Sequence, residues 1–400
     1  MVRVDPVRNP YSPGAGTPPP ELAGRDKLRE QVRVAIARIR RGNAAKSVLL
    51  VGLRGVGKTV LLDRMRLDAE QAGAHTIRIE VPENRSLPAL LAPQLRKALL
   101  RLSSVESAKA MAVRGLRALA GFAKLKVKYS DIEVGLDFDP EPGLADNGDL
   151  EGDLTTLFEE IGQAARTANT VVVLFVDEVQ YINNDQFAAL ISALHRCAQG
   201  NLPLTLVGAG LPHVRALAGN AKSYAERLFD YPMIGPLSTL DAEAAIVKPA
   251  LNEGVHYTPE AVARIVAETH GYPYFLQEWG KHGWAVAEQD PITLADVGAG
   301  VAEAIAELDE SFFRVRFDRL TPKEKRYLRA MAELGAGPHR SGDIAAALNK
   351  PVSALSPVRQ FLIVKGMIWS PSHGDTAFTV PLFDEFMKRI MPGAGWAAEV

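Results

Sequence analysis

Gly52-Leu-Arg-Gly-Val-Gly-Lys58-Thr59 follows the apolar run Ser47-Val-Leu-Leu-Val51 and precedes the helix-patterned Val60-Leu-Leu-Asp-Arg-Met-Arg-Leu. Strand, glycine loop and helix in that order make a P-loop, and the flanks fit as well as the loop does, which sets it apart from an accidental glycine turn. A triphosphate is dense negative charge. Glycines let several backbone N–H groups point inward without a Cβ in the way, and a helix starting near Lys58 adds the positive end of its dipole. Lys58 is expected to neutralise the β- and γ-phosphates and the Thr59 hydroxyl to ligate Mg²⁺. Gly52, Leu53, Arg54, Gly55, Val56, Gly57 and Val60 complete the expected ATP cradle.

The 400 residues, 47% hydrophobic and 23% charged, suffice for two or three packed domains. A net charge of −1 excludes a chain-wide basic field, so nucleic acid would have to meet a local patch. Cys197 is the only cysteine, which rules out an intramolecular disulfide and reads as a buried, inert thiol. Apolar runs such as Val171-Val-Val-Leu-Phe-Val176 are too short to cross a bilayer, so no membrane partner and a cytoplasmic location are expected. Residues 1–20, with Pro6, Pro10, Pro13 and Pro18-Pro-Pro20, read as a disordered leader.

Apolar strand patterns at 47–51, 75–81, 171–176 and 202–207 alternate with helical ones, the arrangement of an α/β layer with a parallel sheet covered by helices on both faces. This core spans 21–236. It holds an insertion at about 87–150, helical from roughly Leu87 to Phe122 and then alternating from Lys124 to Phe138 as a hairpin. Lys124, Lys126 and Lys128 would share one face of its first strand, Asp131, Glu133 and Asp137 one face of its second, and residues 139–153 would form an acidic surface loop. The lysines suit either a solvated edge or nucleic acid. A helical lid is expected at 237–310, a third unit opening at Thr321-Pro-Lys-Glu324 at 311–392, and a tail at 393–400.

Val171 to Val176 delivers Asp177-Glu178 to the mouth of the sheet, a Walker B element. With side chains alternating along a strand, Asp177 is placed to hold Mg²⁺ and Glu178 to orient or deprotonate the attacking water. Gln180 offers either help with that water or a plain surface role.

With these motifs the chain resembles the AAA+ superfamily, more narrowly the branch joining replication-initiator (origin-recognition) ATPases with signal-transduction NTPases of the STAND type, over roughly residues 21–390. The resemblance implies that Gly24-Arg25 packs beside the base and that Leu204-Thr-Leu-Val-Gly-Ala-Gly210 is the sensor-1 strand. Gly208, Ala209 and Gly210 offer no polar side chain there, which implies slow hydrolysis. Arg227 stands where such proteins place an arginine finger for a neighbouring subunit; as a plain surface residue it would cap the preceding helix. His270-Gly-Tyr-Pro273 resembles the Gly-x-Pro element by which STAND lids contact nucleotide, or else is a helix start set by proline.

Helices over 322–334, 341–348 and 352–365, followed by strands near 366–370 and 376–380, spell a winged helix. Residues 311–400 carry 13 Lys and Arg against 8 Asp and Glu, a surplus compatible with a phosphate backbone. Ser353, Ser356, Arg359 and Lys365 are its DNA-contact candidates on the third helix. Two functions follow: an ATP-dependent switch binding double-stranded DNA through the winged helix, or a STAND-like signalling ATPase whose winged helix and insertion bind protein, either of them open to homo-oligomerisation. A small-molecule kinase is disfavoured because lid and terminal unit leave no evident acceptor pocket. The eight histidines show no metal-ligand spacing, so Mg²⁺ is the one metal expected.

Overall fold

The computed structural model describes residues 3–14, 16–83, 85–126, 138–393 and 395–397. The chain divides into two compact units: residues 25–52 with 58–234, and residues 1–24 with 53–57 and 235–400.

In the first unit the strands are β1 (Ser47–Gly52), β2 (His75–Glu80), β3 (Val172–Asp177), β4 (Leu204–Gly210), β5 (Phe229–Asp230) and β6 (Met233–Ile234). They pair in parallel in the order β2-β3-β4-β1-β5, with β6 also on β1. Every residue of β1, β3 and β4 is buried, as their unbroken apolar runs require of strands covered on both faces. Edge strand β2 alternates instead, burying Ile77 and Ile79 and leaving Arg78 between them part-exposed. Helices Leu87–Ser103, Lys109–Lys126, Leu150–Thr167 and Asn184–Gln199 add Leu95, Phe122, Phe158 and Phe187 to the same core. A Cβ on Gly115 would stand 2.6 Å from Leu99 Cδ2, so glycine there leaves room for the Leu99 side chain between the first two of these helices.

The insertion departs from expectation at both ends. Lys124 does not begin a strand: helix Lys109–Lys126 runs through it, because Leu116, Leu119, Phe122 and Ala123 keep a helical spacing of buried residues. Lys128, Asp131, Glu133 and Asp137 of the expected hairpin lie outside the described residues. The stretch 139–153 is not wholly a surface loop either. Leu144 and Ala145 are buried, and helix Leu150–Thr167 starts inside it with Asp149 as N-cap, accepting from Gly152 N–H. Asp153 is fully buried, its two carboxylate oxygens accepting from Asn147 N–H at 2.9 Å and Gly148 N–H at 3.1 Å.

The second unit is helical: Thr239–Asn252, Pro259–Thr269, Pro273–Val286 and Leu294–Glu307. The last runs through a π-helical stretch, Leu308–Phe313, into Arg314–Asp318 with no intervening loop. Phe313 sits 5.2 Å from Phe386 and 6.4 Å from Phe275, ring centre to ring centre, so residues before and after 310 share one core. Beyond it come helices Pro322–Glu333, Ser341–Ala347 and Val352–Val364, a three-stranded antiparallel sheet of His339–Arg340, Ile368–Trp369 and Asp375–Phe378, and helix Phe383–Ile390. Thr321 and Glu324 form the expected capping box.

Residues 3–14 correct the reading of a disordered leader. Val4 and Tyr11 are 2% and 3% exposed, and the Tyr11 hydroxyl donates to Ile246 O. Trp284 Nε1–H donates to Asp5 O at 2.9 Å. Gly280 makes the seat: a Cβ there would lie 2.8 Å from the Tyr11 ring. Proline-rich composition implies disorder only where no groove receives the chain.

Candidate functional site

Where the first unit's sheet ends, β1 leads into the glycine loop and helix Lys58–Gln71 begins directly after it. Gly55 and Gly57 adopt φ of +80° and +84°, a region that residues with a Cβ rarely enter, and a Cβ on Gly57 would meet nothing within 4 Å. The loop backbone is therefore turned out toward open space at that glycine. Lys58 sits in the first helical turn and is 8% exposed; Val56, 1% exposed, anchors the loop.

Asp177 ends β3 and is 1% exposed. The Thr59 hydroxyl hydrogen-bonds to its carboxylate, so the helix after the glycine loop and the end of β3 meet side chain to side chain. Burial raises the Asp177 pKa, against the pull of Thr59 and of Arg78. Arg78 NH2 lies 3.2 Å from Asp177 Oδ2, while its Nε lies 2.9 Å from Asp63 Oδ1. One hydroxyl beside one buried carboxylate, both hard oxygen ligands, fits Mg²⁺: Thr59 and Asp177 would hold it, and it would neutralise charge on the phosphates.

Glu178 is separated from Asp177 by more than strand alternation. β3 stops at Asp177, and Glu178 takes a left-handed backbone (φ 54°, ψ 41°) while its N–H donates to Asp177 Oδ1 at 2.9 Å. Such conformations cost about 1–3 kcal/mol and persist where the surroundings impose them. Gln180 Nε2–H donates to Glu178 Oε2, and its Oε1 accepts from Leu211 N–H at 3.1 Å. Gln180 thus ties Glu178 to the end of β4.

The same contact lies against the glycines of β4. A Cβ on Gly210 would lie 2.8 Å from Gln180 Oε1 and 2.6 Å from Val214 Cγ2; one on Gly208 would lie 2.6 Å from Leu49 Cδ2. A side chain at either position would have to displace these neighbours, and Gln180 occupies the adjoining space. Thr205, on the same strand, faces Ser47 instead, hydroxyl to hydroxyl at 3.0 Å. Arg227 is exposed on the short helix Ala225–Leu228 before β5, and its charge, after burial, helps hold the His195 imidazole below its usual pKa. Arg25 precedes helix Asp26–Arg40, its carbonyl accepting from Arg29 N–H.

In the second unit Gly24 has φ +69° and lies against Asp241, which a Cβ would meet at 2.5 Å. Gly271 has φ +70°, and a Cβ there would stand 2.6 Å from Leu237 O, so glycine is required. Pro273 opens its helix at the first position. Tyr274 N–H donates to Gly55 O at 3.2 Å and Arg54 N–H to Thr379 O at 3.1 Å.

The DNA-contact candidates divide. Ser353 and Ser356 are exposed, although the Ser356 hydroxyl donates back to Val352 O at 3.1 Å. Arg359 is turned onto the strands beside its own helix, donating to Thr376 Oγ1, Ser370 Oγ and Asp375 O. Lys365 Nζ is 2.7 Å from Glu324 Oε2. Cys197 is fully buried and its thiol is pushed up to about 12, which keeps it inert.

Arg78 was not legible as a site residue, since only the β2 to β3 register, with Glu80 opposite Asp177, brings it there. Arg78→Met is expected to lower the stability of the ligand-free protein by about 2 kcal/mol, a Tm fall of roughly 4–8 °C, by removing the cation beside a buried carboxylate. Mg²⁺ with ATP should narrow that gap, because Asp177 then regains a positive neighbour; thermal denaturation with and without Mg·ATP checks both.

Residues 21–207 match the family model described as AAA ATPase domain, and residues 310–387 match a domain of unknown function, DUF8462. An uncharacterised HTH-type transcriptional regulator of Methanocaldococcus jannaschii is 22% identical over 348 residues, covering 84% of this chain and 81% of that protein. The solved structure of a Walker-type ATPase of Pyrococcus abyssi superimposes with a TM-score of 0.58 at 17% identity, covering 93% of this chain and 97% of that one. The Orc1 protein of Aeropyrum pernix in complex with DNA gives 0.46 at 15% identity, over 93% and 94%. No helix among the described residues is long and apolar enough to cross a membrane. With the parallel sheet, the P-loop and the Asp177-Glu178 strand end, residues 21–207, which match the AAA ATPase domain model, have a P-loop NTPase fold of the AAA+ type.

Proposed function

We propose that the protein is an Mg²⁺-dependent ATPase switch that couples nucleotide state to duplex DNA bound by its C-terminal module. One observation carries the ATPase half: Thr59, Asp177, Glu178 and Gln180 form a connected set at the strand ends beside Lys58. Lys58 and the loop N–H groups bind the phosphates, Asp177 and Thr59 stand as ligands, and Glu178, oriented by Gln180, takes the proton of the attacking water. Gln180 supplies the polar group that Gly208, Ala209 and Gly210 do not. Arg227, exposed before β5, is the trans-acting finger of this reading, which needs a second copy of the chain. Pro273, with Tyr274 N–H on Gly55 O, is the lid element that senses the loop, and Gly24-Arg25 the base-side element.

The DNA half rests on other support. The helix and strand order of residues 322–378 suits a winged helix, the segment has a basic surplus, and the M. jannaschii relative is described as HTH-type. Ser353 and Ser356 are placed for phosphate; Arg359 and Lys365 would first have to leave their present partners.

A protein partner is the second reading, and one observation favours it. Helix Val352–Val364 exposes Phe361 at 63% and Val364 at 65%, apolar groups that suit a protein surface better than a phosphate backbone. The test is duplex binding over a salt series with and without Mg·ATP, for wild type and Phe361→Ser. DNA coupling predicts an affinity that falls steeply with salt and changes with nucleotide. Absence of salt-dependent binding leaves the protein-partner reading.

A further inference from the structure

Helix Pro273–Val286 places Glu278 and His282 one turn apart on the same face, and helix Leu294–Glu307 ends opposite them in Glu307. His282 Nε2 lies 2.9 Å from Glu307 Oε2 and 4.0 Å from Glu278 Oε2, and one ligating atom from each of the three residues falls within 4.8 Å of the others. The close approach is built by glycine: a Cβ on Gly300 would stand 2.7 Å from Gly283 N and from the His282 carbonyl carbon.

Glu278 supplies the independent sign of a missing ligand. It is 4% exposed, and its Oε2, turned toward His282, has no hydrogen-bond partner among the described residues. A buried carboxylate oxygen without a donor is costly. Tyr274 hydrogen-bonds to this carboxyl and Lys281 attracts it from nearby, yet neither reaches Oε2, and Lys281 Nζ is itself bound to both oxygens of Glu307 at 2.8 Å. On the other side of the ring, His282 Nδ1 is 3.6 Å from Glu303 Oε2, the kind of carboxylate that orients a metal-bound imidazole.

We propose that Glu278, His282 and Glu307 form a divalent transition-metal site, joining two helices of the second unit. One imidazole and two carboxylates are a borderline donor set that suits Zn²⁺, and Mn²⁺ or Co²⁺ more weakly. The three residues lie outside the glycine loop and the strand ends, so this ion is distinct from the Mg²⁺ that Thr59 and Asp177 would hold. The spacing was illegible in the sequence because the third ligand comes from another helix.

The test is calorimetric titration of the metal-free, nucleotide-free full chain with Zn²⁺, and of Co²⁺ followed by visible absorption. One saturable Zn²⁺ per chain, with a raised Tm, is expected. Glu278→Gln should weaken it by more than about tenfold, and His282→Asn should remove the Co²⁺ bands. Since both side chains are buried, two exposed changes are added. Lys281→Met should tighten binding by freeing Glu307, and Glu303→Gln should weaken it severalfold. No saturable binding, binding unchanged in Glu278→Gln and Lys281→Met, or binding lost in Asp177→Asn while retained in Glu278→Gln would overturn the proposal.

Discussion

Glu178→Gln is expected to lower kcat for ATP by about 10²–10⁴-fold while leaving the Kd for ATP within a factor of a few. The substitution keeps shape and hydrogen-bonding capacity: a glutamine at 178 still offers an oxygen to Gln180 Nε2–H, and the backbone N–H at 178 still donates to Asp177 Oδ1. What it loses is the ability to take a proton from water in the transition state. That loss corresponds to about 3–5 kcal/mol of barrier, all of it in kcat. Gln180→Leu separates base from holder. It removes the tether between Glu178 and Leu211 N–H but keeps the carboxylate, so its loss should be smaller and its pH profile displaced. Turnover of Glu178→Gln at the wild-type rate would remove Glu178 from the base role and leave Gln180 with nothing to orient.

The glycine loop and the Asp177-Glu178 strand end were legible because each is a run of adjacent residues whose form is fixed by local backbone: apolar strand, glycines at positive φ, helix start, strand-end carboxylates. What surrounds them was not. Arg78 reaches Asp177 through strand register, and Gln180 reaches Glu178 through a left-handed residue that no periodicity announces. That β4 carries no polar side chain over Gly208-Ala-Gly210 was visible, but the packing of Leu49, Val214 and Gln180 against those glycines was not. Elsewhere the failures share one source. Lys-Leu-Lys alternates over too few residues to be told from the end of a helix, and the proline-rich start was judged by composition while its partners, Ile246 and Trp284, lie more than two hundred residues away. Arg359 and Lys365 were assigned outward from helix position alone, whereas a guanidinium next to Thr376 and Asp375 O, and an ammonium next to Glu324, find closer acceptors within their own module.

Lys58→Ala should act on the other side of the kinetic scheme, weakening ATP itself. Lys58 is 8% exposed in the first turn of helix Lys58–Gln71, directly after the two glycines at positive φ, so its ammonium would meet the phosphates largely shielded from water. Removing one member of a desolvated charge pair costs about 2–5 kcal/mol, on the order of 10²–10³-fold in Kd, and hydrolysis at subsaturating ATP falls at least as far. Lys58→Arg should rescue little, because a planar guanidinium cannot take the place of a compact ammonium in a tight loop. The contrast with Glu178→Gln is the stronger test. If the site works as its geometry implies, one substitution abolishes turnover with ATP still held, and the other releases ATP with the base still in place. Equilibrium binding of a fluorescent ATP analogue to both variants distinguishes them, and unaltered binding by Lys58→Ala would mean that Gly52 to Thr59 is not a triphosphate cradle, which would remove the ground for every step assigned to Asp177, Glu178 and Gln180.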